Sequence, residues 1–210
     1  MHDPCKVLVT LDAVAHAAAR RAASVAEGRC GIFVDATAGN GHDTVFLAEL
    51  AGRTGHVYAF DVQTAALGAT RNRLEAAGLA DRVTLIHAGH ENLAGLVPEC
   101  TVTAILFNLG FLPGSDKKTA THAETTLAAL RAAVRLLGEH GVLSVHLYTG
   151  HSGGAEECRN VLEFFEGLAR KEWRVQFITD GNKPRNAEWL VLAERVQQQV
   201  PSRPQAAPSV

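Results

Sequence analysis

The stretch Asp35-Ala-Thr37-Ala-Gly39-Asn40-Gly41-His42-Asp43 follows the apolar run from Cys30 to Val34 and leads into the segment ending at Leu50. The apolar run with Asp35 predicts a strand over 30–35, the glycines a sharp turn, and Asp43 to Leu50 a helix. Strand, glycine loop and helix in that order open a doubly wound α/β sheet. Such a loop brings main-chain N–H groups and a helix N-terminus up to a ligand.

The loop narrows the ligand by what it lacks. It has no lysine of a GxxxxGK[ST] phosphate loop, and Thr44 stands where the third glycine of a dinucleotide GxGxxG would fall. Both absences favour a cofactor without a pyrophosphate. An acidic Asp35 repels phosphate but suits the ammonium end of a methionine moiety; as the bland alternative it only caps the loop. Asp61 closes the next strand twenty residues after Gly41, where a carboxylate accepts hydrogen bonds from both ribose hydroxyls. Gln63 stands beside it, and His90 and Glu91 follow the third strand where an adenine would lie. Thr37, Gly39, Asn40, Gly41 and Asp43 complete the expected binding set for S-adenosylmethionine.

Outward from the loop the unit repeats. Strands are predicted over 56–62, 82–88, 102–110 and 141–150, with helices over 64–77, 91–96, 119–137 and 155–171 between and after them. An alanine-rich N-terminal helix over 11–26 precedes the first strand. The runs 173–180 and 188–196 are two strands without an intervening helix, so they pair antiparallel. The expectation is a class I methyltransferase (Rossmann-like) seven-stranded sheet with helices on both faces and a C-terminal antiparallel hairpin. One domain spans 1–196, and the proline-rich tail 197–210 is expected to be disordered.

The methyl acceptor belongs at the ends of the fourth and fifth strands. There the chain places Asn108, Gly110, Pro113, Gly114, Asp116 and Lys117, and then Tyr148 and His151. Asn108 can orient an amine or nucleobase, Lys117 can meet a phosphate, and Tyr148 or His151 can take a proton. Methyl transfer is an in-line displacement, so these groups mainly position the acceptor and keep an amine unprotonated.

Composition sets the outer bounds. In 210 residues, 47% hydrophobic and 20% charged, a single ordinary core is expected. A formal net charge of −2 excludes broad electrostatic wrapping of nucleic acid but not a local basic rim. Cys5, Cys30, Cys100 and Cys158 have no CxxC spacing, so neither a metal site nor a disulfide framework is expected. No apolar run approaches the roughly 18 residues of a membrane span, and a cytoplasmic location is expected.

The runs DATAGNGHDT, VYAFDVQ, FNLGFLPGSDK and LYTGHSGG, in that order, resemble the MnmM (YtqB-like) family, over about Gly31 to Arg195. The resemblance implies methylation of the 5-aminomethyl group on the wobble uridine of certain tRNAs. It also implies cofactor contacts at Asn40, Gly41, Asp43, Asp61 and Gln63, with acceptor-side roles for 108–117 and 148–151. Lys183 and Arg185 stand in a polar tract before the last strand and, with Lys117 and Lys118, would form a cationic rim for an anticodon stem-loop. An rRNA or small-molecule acceptor is the alternative, and a homodimer stays open.

Overall fold

The structure, a computed structural model, describes residues 10–26, 31–98, 102–110, 121–150, 152–182 and 188–196. Pro113, Gly114, Asp116, Lys117, Lys118, His151, Lys183, Arg185 and the tail 197–210 lie outside the described residues. The chain runs α1 (Leu11–Val25), β1 (Ile32–Asp35), α2 (His42–Ala51), β2 (His56–Asp61), α3 (Thr64–Ala77), β3 (Val83–His87), α4 (Leu93–Leu96) and β4 (Val102–Leu109). It continues through α5 (Ala123–Leu136), β5 (Leu137–Tyr148), α6 (Gly154–Glu166), β6 (Trp173–Ile178) and β7 (Glu188–Arg195).

The seven strands form one sheet in the order β3-β2-β1-β4-β5-β7-β6. Neighbours from β3 through β5 are parallel, while β7 runs antiparallel to both β5 and β6. The order reverses direction between β1 and β4, and there a crevice opens at the carboxyl ends of the strands. The expected sheet and terminal pairing are both present.

Alternation along β4 shows how the two faces are built. Ala104 and Leu106 pack with Phe33, Phe46, Leu47 and Ala19 on one side. Ile105 and Phe107 pack with Val34, Leu130, Val145 and Phe165 on the other. Asn108 continues the parity of Leu106, so its side chain meets α2 rather than α5. On β5 the same rule carries Ser144, His146 and Tyr148 to the α1 side, since Val145 lies in the opposite cluster.

Three element boundaries differ most from the sequence reading. The fifth strand starts at Leu137 rather than Gly141, directly from the end of α5. His140 at φ 60° accommodates the irregular pairing that follows. The helix expected over 155–171 ends at Glu166, where the Gly167 N–H turns back to the carbonyls of Glu163 and Phe165. The fifth helix begins at Ala123 rather than Thr119, with 119–120 outside the described residues. In α1, the Thr10 side chain caps the helix by accepting the Ala13 N–H at 3.2 Å.

Candidate functional site

A cleft of about 830 Å³ lies over the carboxyl ends of β1, β2, β4 and β5. Its floor is the glycine loop. Gly39 and Gly41 have φ of 52° and 81°, left-handed values that suit glycine. The loop is held from three directions. Asp61 Oδ2 accepts the Gly39 N–H at 2.9 Å, and Thr70 of α3 donates its hydroxyl to the Gly39 carbonyl at 3.0 Å. Arg73 Nε donates to the Asn40 carbonyl at 2.9 Å.

Asp61 sits as β2 ends. Its second oxygen accepts the Gln63 N–H at 2.8 Å, so the helix-start role and a ligand role coexist: each carboxylate oxygen keeps a lone pair, and the residue lines the cleft. Asn108 places its main-chain N–H on Thr37 Oγ1 and its side-chain amide on Asp43 Oδ2, both at 2.7 Å. Asp43 Oδ1 in turn lies 2.7 Å from His16 Nε2 of α1. His16 stacks on Phe46 at 3.7 Å.

Thr37, Gly39, Asn40, Asp43, Asp61, Gln63, His90, Glu91, Asn108, Gly110 and Tyr148 all line this cleft. Asp35 does not. It is fully buried behind the loop, its oxygens accepting the Thr37 N–H at 3.1 Å and the Thr44 hydroxyl at 2.6 Å. The methionine contact expected of Asp35 is thus replaced by internal support of the loop. Gly41 likewise does not line the cleft; it closes on α3, where a Cβ would stand 2.8 Å from the Thr70 Cα.

Burial first, and then the charge of Asp43, push the Asp35 carboxyl up to about 7, against the opposing hydrogen bonds from Thr44 and Thr37. A folded value above the unfolded one means that the folded chain binds the proton more tightly. Stability is then fully present below about pH 4 and is lost as pH rises toward 7. The melting temperature of the unliganded protein is expected to fall across that window. Asp35→Asn should remove that part of the fall, measured by thermal melts at fixed ionic strength.

His90 is 7% exposed and packs edge-on against Phe107. Burial lowers its pKa, and its hydrogen bond to the Ala36 backbone leaves Nε2 without a partner among the described residues. A neutral imidazole that donates Nδ1–H to a carbonyl presents Nε2 as an acceptor. The His90 ring lines the cleft where an adenine would lie, and the Asp61 carboxylate beside it fits a ribose. The volume and donor set accommodate S-adenosylmethionine.

Tyr148 is displaced upward from the ordinary phenol range, by burial first and then by the charges of Asp12, Glu188 and Asp43. It therefore stays an O–H donor, which revises the proton-accepting role expected of it. Gly110 lies beside Tyr148, and its carbonyl accepts the Thr121 N–H at 2.9 Å, joining the two ends of segment 111–120. Glu157, 2% exposed on α6, takes the hydroxyls of Thr121 and Thr126 at 2.7 and 2.6 Å.

Sequence reading missed Asp12, His16 and His146. The signals were present in outline: Asp12 and His16 stand four apart on one helix face, and His146 and Tyr148 two apart on one strand face. Only the packing of α1 over β4 and β5 joins them. Among the described residues no group of three His, Cys, Asp or Glu side chains is placed to hold a metal ion. No described helix is long and apolar enough to cross a membrane.

Comparison with known proteins gives three findings. Residues 57–194 match the model of a family described as "Putative rRNA methylase". Over 149 residues the chain is 40% identical to the chloroplastic tRNA (mnm(5)s(2)U34)-methyltransferase of Arabidopsis thaliana, covering 67% of this chain and 54% of that protein. The chain thus spans about half the length of that curated relative. Among solved structures, a protein from Clostridium thermocellum described as "putative rRNA-methylase" is 37% identical with a TM-score of 0.84, covering 91% of this chain and all of that one. A protein from Streptococcus mutans, described as "a putative methyltransferase" and solved in complex with SAH, is 32% identical with a TM-score of 0.79, covering 90% and 100%.

Proposed function

We propose, since the chain belongs to the family described as "Putative rRNA methylase", that it binds S-adenosylmethionine in the cleft and methylates the 5-aminomethyl group of the wobble uridine of tRNA. The product is 5-methylaminomethyluridine. The observation that carries the cofactor is the cleft wall formed by the Gly39 loop, Asp61 and the ring of His90. SAH in the Streptococcus mutans relative supports the same reading. The acceptor rests on the identity with the plant enzyme, whose name specifies that uridine.

When bound, S-adenosylmethionine supplies an electrophilic methyl group on a sulfonium. The residues of the chain then arrange the acceptor. Asn108, with its amide N–H on Asp43, offers its carbonyl oxygen to an amine N–H. Tyr148 offers its phenol hydrogen from the adjacent carboxyl end of β5. A neutral amine lone pair is required for the displacement, and aligning it counts for more than any proton transfer. We further place the anticodon stem-loop against Lys117, Lys118, Lys183 and Arg185.

The test compares three RNAs in methyl-transfer assays with the purified protein: an anticodon stem-loop carrying 5-aminomethyluridine, the same stem-loop with unmodified uridine, and an rRNA fragment. Transfer to the first alone is the expected result. Transfer to the rRNA fragment instead would move the enzyme to the other acceptor.

A further inference from the structure

A second hydrogen-bonded relay lies at the acceptor end of the cleft, independent of the one through Asn108. His146 on β5 is 4% exposed, and its Nδ1 lies 2.8 Å from Asp12 Oδ1 at the start of α1. The Tyr148 hydroxyl is 3.1 Å from the same nitrogen, and the two rings stack at 4.2 Å. On the far side, His146 Nε2 is 3.4 Å from Glu188 Oε2 of β7, without hydrogen-bond geometry.

The proton positions follow from Asp12. Its pKa is lowered chiefly by the hydrogen bond with His146, so it is ionised and accepts only. Nδ1 must then carry the hydrogen and donate it to Asp12. Tyr148 faces that N–H with its oxygen, leaving its own hydrogen for another partner. Both Asp12 and Tyr148 line the cleft.

Asp12 would be unremarkable as an acid in the first turn of a helix, where the dipole favours it. The cap of α1 is already made by Thr10, however. The Asp12 carboxylate reaches across to β5 instead, pairs with no Lys or Arg among the described residues, and keeps a 58% exposed side chain at the cleft. A carboxylate held in place by a buried imidazole, half-exposed at the cleft with no Lys or Arg beside it among the described residues and next to a phenol donor, is placed to meet a cation. Asp43 and Glu188 add negative potential from the flanking elements, and His16 is the facing basic group, itself engaged by Asp43.

We propose that Asp12 is the recognition residue for the cationic amine of the methyl acceptor, and that His146 is the positioning residue that holds it. The assignment rests on the aminomethyl reading of the acceptor and deepens it: it makes α1 part of the specificity pocket. The acceptor arrives as an ammonium at neutral pH, docks on Asp12 through a charge-assisted hydrogen bond, and loses a proton to solvent before its nitrogen attacks. The new N–C bond forms as the C–S bond breaks, with that electron pair going to sulfur.

The test is equilibrium binding, so that it does not depend on turnover. Anticodon stem-loops bearing 5-aminomethyl-, 5-hydroxymethyl- or unmodified uridine are titrated into the SAH-loaded wild type and into SAH-loaded Asp12→Asn and His146→Gln. SAH affinity is measured separately for each protein. The wild type should prefer the 5-aminomethyl loop over the 5-hydroxymethyl loop by about tenfold or more, the range of one charge-assisted bond. Asp12→Asn should bring that ratio to within about twofold while SAH affinity stays unchanged, and His146→Gln should lower the ratio in the same direction.

If Asp12→Asn keeps the wild-type ratio, the recognition role is overturned, and an unchanged ratio in His146→Gln overturns the positioning role. Loss of SAH affinity in parallel with the ratio would make Asp12 a structural residue and equally overturn the assignment. A wild type with no preference at all would instead overturn the aminomethyl reading on which the assignment stands.

Discussion

Replacing Asp61 by Ala is expected to weaken SAH binding by tenfold to about 150-fold, or about 1.5–3 kcal/mol for charge-assisted hydrogen bonds. The carboxylate does two things at once. It offers an acceptor to the ribose hydroxyls, and it satisfies the main-chain N–H groups of Gly39 and Gln63, at 2.9 and 2.8 Å. Alanine removes both, leaving two amides unpaired beside the cleft. Asp61→Asn should be nearly as damaging, because one of those N–H groups would then face an NH₂ donor. Calorimetric titration with SAH gives the affinity, and a melt of the unliganded protein separates the loss of ligand contact from the loss of loop support. Unchanged affinity would reduce Asp61 to a brace between β2 and α3.

Gly41→Ala is expected to be the most disruptive small substitution in the loop. At φ 81° an alanine pays the left-handed penalty of about 1–2 kcal/mol. Its Cβ would also stand 2.8 Å from the Thr70 Cα and 3.0 Å from its side-chain atoms. Since the nearest atom is backbone, relief requires α3 to move away, at a further cost of about 1–3 kcal/mol. The same shift would break the Thr70 bond to the Gly39 carbonyl, so the variant should melt roughly 5–15 °C lower and lose SAH affinity as well. Gly78→Ala is the control: it shares a left-handed φ of 67°, but a Cβ there meets nothing within 4 Å. A similar loss in both variants would show that conformation alone, and not the loop contact with α3, matters.

The fold was legible because its signals are local. Nearly continuous apolar runs such as Val102 to Leu109, the glycine break after Asp35, and a terminal pair of strands without a helix between them fix the order of elements, and short connections leave few ways to arrange it. Asp61 and Asn108 could be named because a strand end in such a sheet is a fixed address. What stayed hidden depends on contacts distant in sequence. Asp12 meets His146 across 134 positions, and His16 meets Asp43 across 27, so neither pair leaves a spacing to read. Asp35 shows the converse: its place at the strand end was evident, but only packing reveals that its carboxylate turns inward to Thr44 and not out to a ligand.

The central claim, a methyl group placed on the 5-aminomethyl nitrogen of the wobble uridine, is tested most directly by mass spectrometry of tRNA nucleosides from cells lacking the gene, compared with cells carrying it. Loss of 5-methylaminomethyl derivatives together with accumulation of the 5-aminomethyl precursor, reversed by restoring the wild-type chain but not the Asp61→Ala variant, is the expected result. Unchanged 5-methylaminomethyl derivatives and no accumulated precursor, in cells without a redundant enzyme, would contradict it.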